Sequence, residues 1–410
     1  MTYRYKSPLA PKKFNKIKAI AGIDLYIYSA GLYNKQRNDI ALFIFKKPGS
    51  IAEVFTKSSI KSHTLNWNKK NLKSKTVNAI FINSGNANTF TGNQGIKSIS
   101  DLANKILNQY NVPVNKLFVC STGVIGEPFP IKKILSAISK TRLPSKDWSQ
   151  ATKAIMTTDT FPKGITRSFK FNDSKSYITG ISKGSGMIEP NMATMLGFVF
   201  IEIDMPKKLL QKLLTEVTDD TFNKITVDGD ESTNDTVILT STNRLAPKRA
   251  IKSLKDPQIK TFQKQLKFVF KYLAELIVRD GEGASKLITI IVKNARSELQ
   301  AKKIAKSIGN STLFKTAIYG EDANWGRIVM AISKTYEAID QKKLKIFFGN
   351  YKVTHNGAEN KINSNSKIKN YLKRKEIKII VDLGLGKNSY DILTCDLSHK
   401  YIDINASYKS

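Results

Sequence analysis

Short apolar runs and amphipathic stretches take turns along the whole chain. Runs of strand length recur at Ile40–Phe45, Thr76–Asn83, Leu117–Ser121, Tyr177–Ser182, Gly197–Ile203, Asp235–Thr240, Leu287–Lys293, Lys343–Phe348 and Ile377–Asp382. Between them the spacing turns helical. Asp101–Tyr110 repeats Leu102, Ile106 and Leu107, and Ile259–Val278 is the longest helical pattern. Pro206–Thr215 opens on a proline, which suits a first helical turn, and carries Leu209, Leu210, Leu213 and Leu214. Strands alternating with helices predict an α/β chain, built as an α+β sandwich with several strands. The lysine-rich segments Lys61–Lys75 and Lys361–Lys375 read as solvated loops or surface helices. No repeat and no low-complexity linker divides the chain, so one compact unit is expected rather than two independent domains.

Composition narrows the class. A chain of 410 residues, 41% hydrophobic and 24% charged, can bury a sizeable core and is not expected to be disordered. No apolar run approaches the roughly 20 residues of a membrane helix. The opening residues, Met1-Thr-Tyr-Arg-Tyr-Lys6, hold no apolar signal region, so a cytoplasmic protein without membrane partners is expected. Two cysteines, Cys120 and Cys395, make neither a disulfide framework nor a zinc cluster, and with three histidines no metal site is expected. Charge is the loudest signal, with 67 Lys+Arg against 33 Asp+Glu and a net charge of +34. Such an excess suits phosphate neutralisation by a nucleic-acid binder. Here it is mostly lysine, is spread over both halves, and accompanies no helix-turn-helix, zinc-finger or ribonucleoprotein motif. Compositional drift accounts for it better, and no nucleic-acid partner is expected.

The most unusual segment is Lys183-Gly-Ser-Gly-Met-Ile-Glu-Pro-Asn-Met-Ala-Thr-Met-Leu196, which joins two strand candidates. Its glycines and proline exclude a regular helix or strand, and Met187, Met192, Met195 and Leu196 supply an apolar lining. Irregular backbone between core strands is costly unless function demands it. Its end places the small residue Ala193 before the hydroxyl residue Thr194. That arrangement suits an N-terminal-nucleophile enzyme. Cleavage before the threonine frees an α-amino group of pKa about 8, a neutral base beside its own hydroxyl, so no histidine is needed. By itself, a glycine-rich loop of this kind is more often a tight turn. Other constellations fail. Asp228, Asp230, Ser232 and Asn234 have calcium-loop spacing, but Thr233 stands where glycine is needed and Leu239 where glutamate is needed. Cys120 has no adjacent histidine and reads as a small core residue.

The segment Lys183–Leu196 resembles the self-cleavage motif of the ornithine acetyltransferases, the glutamate N-acetyltransferase/amino-acid acetyltransferase family of arginine biosynthesis. Further blocks resemble that family in the same order. They are Asn83-Ser-Gly-Asn-Ala-Asn88, Ser121-Thr-Gly-Val-Ile-Gly126, Met156-Thr-Thr-Asp159, Val227-Asp-Gly-Asp230, Ser232-Thr-Asn-Asp-Thr236, Asp280-Gly-Glu-Gly-Ala284, Gly320-Glu-Asp-Ala-Asn-Trp-Gly-Arg327 and Ile404-Asn-Ala-Ser-Tyr408. The first 75 residues match more loosely, and Ile60–Lys75 departs from the pattern.

The resemblance implies the self-cleaving threonine-nucleophile fold of the ornithine acetyltransferase/aminopeptidase type. It implies an alpha chain of residues 1–193 and a beta chain of residues 194–410, together one catalytic unit and paired as alpha2beta2. Cleavage would fall between Ala193 and Thr194, with Thr194 as nucleophile. Thr122 and Gly123 would form the oxyanion hole. Substrate would be held by Thr157, Lys183, Thr194, Glu282, Asn405 and Ser410, the last standing where many relatives have threonine. Lys183 would take the substrate carboxylate, and Glu282 the side-chain amine of ornithine. The implied reaction is ping-pong acetyl transfer from N2-acetylornithine to glutamate, without a cofactor. Acetyl-CoA, a co-substrate of some members, is left open. The alternatives are a self-cleaving aminopeptidase or amidase of the same fold and, in a different class, a basic nucleic-acid-binding protein.

Overall fold

Two sheets carry the chain in the computed structural model, which describes residues 5–189, 195–360 and 365–406. The larger has eight strands among the described residues: β1 (Ile23–Tyr28), β2 (Ile40–Phe55), β3 (Thr76–Asn86), β4 (Leu117–Val124), β5 (Lys163–Phe171), β6 (Ser174–Lys183), β7 (Leu196–Ile203) and β8 (Thr236–Leu245). Their order is β4-β3-β2-β8-β7-β6-β5, with β1 paired to β2. In the second half, β9 (Leu287–Ala295), β10 (Lys345–Phe348) and β11 (Tyr351–Lys352) precede a small ribbon of β12 (Thr354–His355) and β13 (Ala358–Glu359). Then come β14 (Glu376–Asp382) and β15 (Asn388–Cys395). The second sheet runs β11-β10-β14-β9-β15.

Helices cover both sheets. On the larger sheet lie α1 (His63–Asn71), α2 (Gly92–Tyr110), α3 (Ile131–Ser139), α4 (Ser149–Ala154), α5 (Lys207–Asp219) and α6 (Lys260–Arg279). On the second lie α7 (Glu298–Gly309), α8 (Thr312–Tyr319), α9 (Trp325–Ser333) and α10 (Asn365–Leu372), and α11 (His399–Ala406) ends the described chain. The long helix α6 buries Phe262, Leu266, Val269, Phe270, Leu273 and Ile277, which its period brings to one face. That face lies against β5 and β6, where Gly180 leaves room: a Cβ there would sit 2.7 Å from Val269. The same helix also meets β15, so one apolar face joins the two sheets. Elsewhere Phe43, Trp148 and Phe200 pack as three mutual ring contacts with centroids 4.7–5.1 Å apart. Each such pair adds about 1 kcal/mol beyond the area it buries. No helix among the described residues is long and apolar enough to cross a membrane.

The apolar runs mark the central strands well. Every residue of β7 is buried, which is why Leu196–Ile201 reads as an apolar run rather than an alternation, and the one charge in the strand, Glu202, is paired with Arg244 at 2.7 Å. Besides the two-residue strands β11, β12 and β13, three longer strands without such a signature, β1, β5 and β15, fall outside the predicted runs. Each has polar residues alternating along it, and β5 and β15 lie at sheet edges. β2 extends ten residues past the predicted Phe45, through Lys46-Lys-Pro-Gly49, with a register irregularity between Ile44 and Gly49. A proline and two lysines read as a break, yet the bulge lets the strand change neighbours from β1 to β8. Pro206 caps α5 from outside instead of opening it, and the helix begins at Lys207. The lysine-rich segments do contain helices α1 and α10, and α1 turns Leu65 and Asn68 into the core.

One buried acid has a measurable consequence. Glu53 on β2 is fully enclosed beside Cys120, and its hydrogen bond from Asn68 (2.9 Å) does not offset burial, which pushes its carboxyl up to about 8. Ionisation is thus easy in the unfolded chain and costly in the folded one. Between about pH 4.5 and about pH 8 the folded state binds the extra proton, so stability falls as pH rises through that window. Glu53→Gln should therefore stabilise the protein by ~2 kcal/mol at pH 8 and by little at pH 4.5, read from urea unfolding at both values.

Candidate active site

The sheet ends build the site. β6 and β7 are antiparallel neighbours, and their ladder ends where Lys183 faces Leu196. The twelve residues between them in sequence belong to the segment that the sequence singled out. A cleft of about 360 Å³ opens beside it, lined by Thr122 and Gly123 at the end of β4, Lys183 at the end of β6, and Met195 and Leu196. Thr157, Glu282 and Asn405 complete it from three other segments. The structure therefore brings together Thr122, Gly123, Thr157, Lys183, Glu282 and Asn405, which are far apart in sequence. Ala193, Thr194 and Ser410 lie outside the described residues, as do Met192 and Tyr408. The described neighbour of Thr194, Met195, lines the cleft, with its backbone C=O accepting from Thr236 N–H.

Gly123 cannot be replaced by another residue in place. Its φ is +131°, and a Cβ would lie 2.3 Å from the carbonyl carbon of Gly85 and 2.5 Å from Asn86 N. These are backbone atoms of the parallel neighbour β3, where the register shifts between Gly85 and Asn86. Buried amides hold this end of β4. Asn234 donates to Ala87 O (2.6 Å) and Ser121 O (2.9 Å), and Asn83 accepts from Ser121 Oγ (2.6 Å). Lys183 Nζ donates to Thr122 Oγ1 at 3.2 Å. Because Oγ1 is an acceptor in that contact, the Thr122 hydroxyl proton is left to point elsewhere.

The cleft carries buried charge of both signs. Burial pulls the Lys183 ammonium below its ordinary pKa, and Asp159, Asp235 and Glu282 act against that pull. Burial likewise lifts the Glu282 carboxyl, while hydrogen bonds from Thr158 and Asn405 draw it back. Asn405 Nδ2 reaches Glu282 Oε2 at 2.8 Å. Gly186 makes this possible, since a Cβ there would lie 2.5 Å from the Glu282 carboxylate. The loop from β6 is pinned along its described length. Gly184 N–H donates to Asp159 (2.8 Å), Met187 N–H and Ile188 N–H donate to Asp228 (2.6 and 2.8 Å), and Glu189 pairs with Lys306 at 3.0 Å.

The tail docks through one face of α11. Tyr401 donates to Asp228 (3.4 Å), Ile404 is buried, and Asn405 reaches Glu282. Ile402 is 65% exposed, because a helix turns residue 402 away from the face of 401, 404 and 405. Thr157 N–H donates to Asp159 at 2.9 Å. Sequence reasoning missed the roles of Asp159, Asp228, Thr158, Ser185 and Asn234. All five lie within the quoted blocks, so block membership was a signal, but which side chain each would meet was not. Gly123→Ala should cost ~2 kcal/mol or more, seen as a lowered midpoint in urea unfolding, because both backbone strain and the clash with β3 must be relieved.

The ArgJ family model matches residues 24–410. The arginine biosynthesis bifunctional protein ArgJ of Bradyrhizobium diazoefficiens is 44% identical over 409 residues, covering 98% of this chain and 99% of the relative. The protein of the same name from Mesorhizobium japonicum is 41% identical over 409 residues, with the same coverage. A crystal structure of the Bacillus halodurans arginine biosynthesis bifunctional protein ArgJ is 37% identical, covers 52% of this chain and 100% of its own, and has a TM-score of 0.48. A family match over nearly the whole length, joined to full-length relatives above 40% identity, shows that the chain belongs to the ArgJ family.

Proposed function

We propose that this ArgJ-family enzyme of arginine biosynthesis cleaves itself between Ala193 and Thr194 and then carries acetyl groups from N2-acetylornithine to glutamate on Thr194. The observation that supports this most is the convergence of Thr122, Gly123, Thr157, Lys183, Glu282 and Asn405 on one cleft lined by the residue after Thr194. Family membership supports the pathway, since the full-length relatives are named for arginine biosynthesis.

In the first half-reaction the freed α-amino group of Thr194 takes the proton of its own hydroxyl. Thr194 Oγ then attacks the acetyl carbonyl carbon of N2-acetylornithine. The oxygen that gains charge accepts from Thr122 O–H and Gly123 N–H. Lys183 occupies the acceptor side of Thr122 Oγ1, so the hydroxyl proton is available for that oxygen. The C–N bond breaks, the nitrogen takes the proton, and ornithine leaves the acetyl ester on Thr194. The amine of glutamate attacks the ester, the same base takes its proton and returns it to Oγ, and N-acetylglutamate departs. Lys183 and Thr157 receive the α-carboxylate of either amino acid, and Glu282 receives the side-chain amine that only ornithine has. Asn405 donates to Glu282 at this end, and a substrate contact from Ser410 belongs to the proposal. The amide consumed and the amide made are of similar energy, so no cofactor is required. Acetyl-CoA as a second donor belongs to the same proposal, in keeping with the word bifunctional in the relatives' names.

The cut would fall in the connection between adjacent strands β6 and β7. The chains 1–193 and 194–410 would then share one sheet and stay together, and pairing as alpha2beta2 belongs to the proposal.

Denaturing electrophoresis of the purified protein should show two fragments that co-elute under native conditions. Thr194→Ala should leave one intact chain without transferase activity. An intact wild-type chain with full activity would exclude the nucleophile role. Transfer is assayed with N2-acetylornithine and glutamate, with and without acetyl-CoA, following both products. Release of free acetate instead of N-acetylglutamate would favour the amidase reading. Glu282→Gln should lower kcat/KM for N2-acetylornithine about 10- to 100-fold and leave the glutamate half-reaction within a few fold, since a charge-assisted contact is worth ~1.5–3 kcal/mol. Deleting residues 405–410 should preserve cleavage and cripple transfer, and full activity in the truncated protein would remove the tail from the site.

A further inference from the structure

Behind the cleft lies a fully buried group of three charges that the reaction above does not use. Lys163, the first residue of β5, places Nζ 2.6 Å from Asp159 Oδ1 and 2.5 Å from Asp280 Oδ2, and all three side chains are 0% exposed. Its third donor meets Phe161 O at 3.4 Å, so the ammonium is satisfied entirely by protein.

Each carboxylate stands two residues from a cleft residue. Asp159 follows Thr157 and also accepts the Thr157 and Gly184 N–H groups at 2.9 and 2.8 Å. Asp280 precedes Glu282 and accepts from Thr160 N–H (2.9 Å) and from the Thr160 hydroxyl. Glu282 N–H in turn donates to Ser185 O (2.9 Å), and Ser185 Oγ is 2.7 Å from Thr158 Oγ1. One ammonium thus ties together the Thr157 loop, the start of the β6–β7 loop and the Glu282 loop.

We propose that Lys163 is a positioning residue, which grips Asp159 and Asp280 at once and thereby sets the distance between the Thr157–Lys183 end and the Glu282 end of the cleft. Stability alone is a poor reason for such a group. Desolvating three charges costs several kcal/mol per ion, and apolar packing of similar volume often stabilises as well or better. Geometry is what an apolar replacement would lose. The proposal rests on the functional reading above, in which only the donor amino acid spans both ends. N2-acetylornithine, held at its carboxylate and its side-chain amine, should feel the spacing. Glutamate, which has no side-chain cation, should feel it less.

Lys163→Met alone would strand two buried carboxylates and unfold the site. The test is therefore the charge-balanced double variant Lys163→Met with Asp280→Asn, which keeps Asp159 and its two backbone donors. Purified double variant and wild type are compared by thermal midpoint, by KM and kcat for each substrate, and by calorimetric titration with ornithine and with glutamate. The expected result is a folded, self-cleaved variant whose KM for N2-acetylornithine and Kd for ornithine rise on the order of tenfold. Its glutamate values should stay within about threefold. Equal changes for both substrates, no change for either, or a variant that does not fold would each make the role structural and overturn the proposal. A wild-type protein that neither transfers acetyl groups nor binds ornithine would instead remove the functional reading, and this inference with it.

Discussion

The last rung of the β6–β7 ladder, where Lys183 faces Leu196, is the constraint around which the cleft is arranged. Two antiparallel strands joined by two residues would need only a tight turn. Here twelve residues bridge the gap, and the described part of that bridge is bonded to Asp159 and Asp228 instead of to itself. That described part is therefore held by the body of the protein. Beyond the part outside the described residues, Met195 is returned to the sheet through its C=O, which accepts from Thr236 N–H.

From that rung the site extends outward through backbone geometry on one side and buried charge on the other. β4 ends in a conformation open only to glycine, packed against β3 so closely that a single Cβ would collide with main-chain atoms. On the opposite side, Lys183 sits among Asp159, Asp235 and Glu282, and Lys163 lies behind Asp159. Opposed charges at this depth keep one another ionised: the Lys163 and Lys183 ammonium groups hold Asp159 well below the usual carboxylate range, although burial acts to raise it. Asp280, which shares Lys163, is lifted to about 6 by burial and by its neighbour Asp159. A polar cleft whose groups are already paired pays little reorganisation when substrate arrives.

Much of this fold was legible as pattern. Central strands such as β3 and β7 announce themselves because both faces are largely buried, and α6 because one face is. Strands β1, β5 and β15 were hidden by their alternating polar residues. The bend of β2 was hidden by Lys46-Lys-Pro-Gly49, which mimics a loop. The candidate site was legible as motifs, through Thr122-Gly123, Thr157, Lys183, Glu282 and Asn405. Lys163 was not, because one lysine among 67 basic residues carries no local mark, and its meaning lies in two carboxylates 4 and 117 positions away.

What the sequence by itself determined is the set of local conformations and the chemistry available. Glycine at 123 admits a positive φ, glycine at 186 leaves space, and Ala193-Thr194 offers a hydroxyl behind a small residue. These follow from covalent structure, which a string of residues states fully. Which groups meet was decided only by tertiary structure. Thr122, Lys183 and Glu282 share a cleft because sheet order, the packing of α6 and the docking of α11 bring distant backbone together. Those contacts depend on register and burial summed over the whole chain, and so does the protonation of the buried acids. No local window of sequence contains that sum.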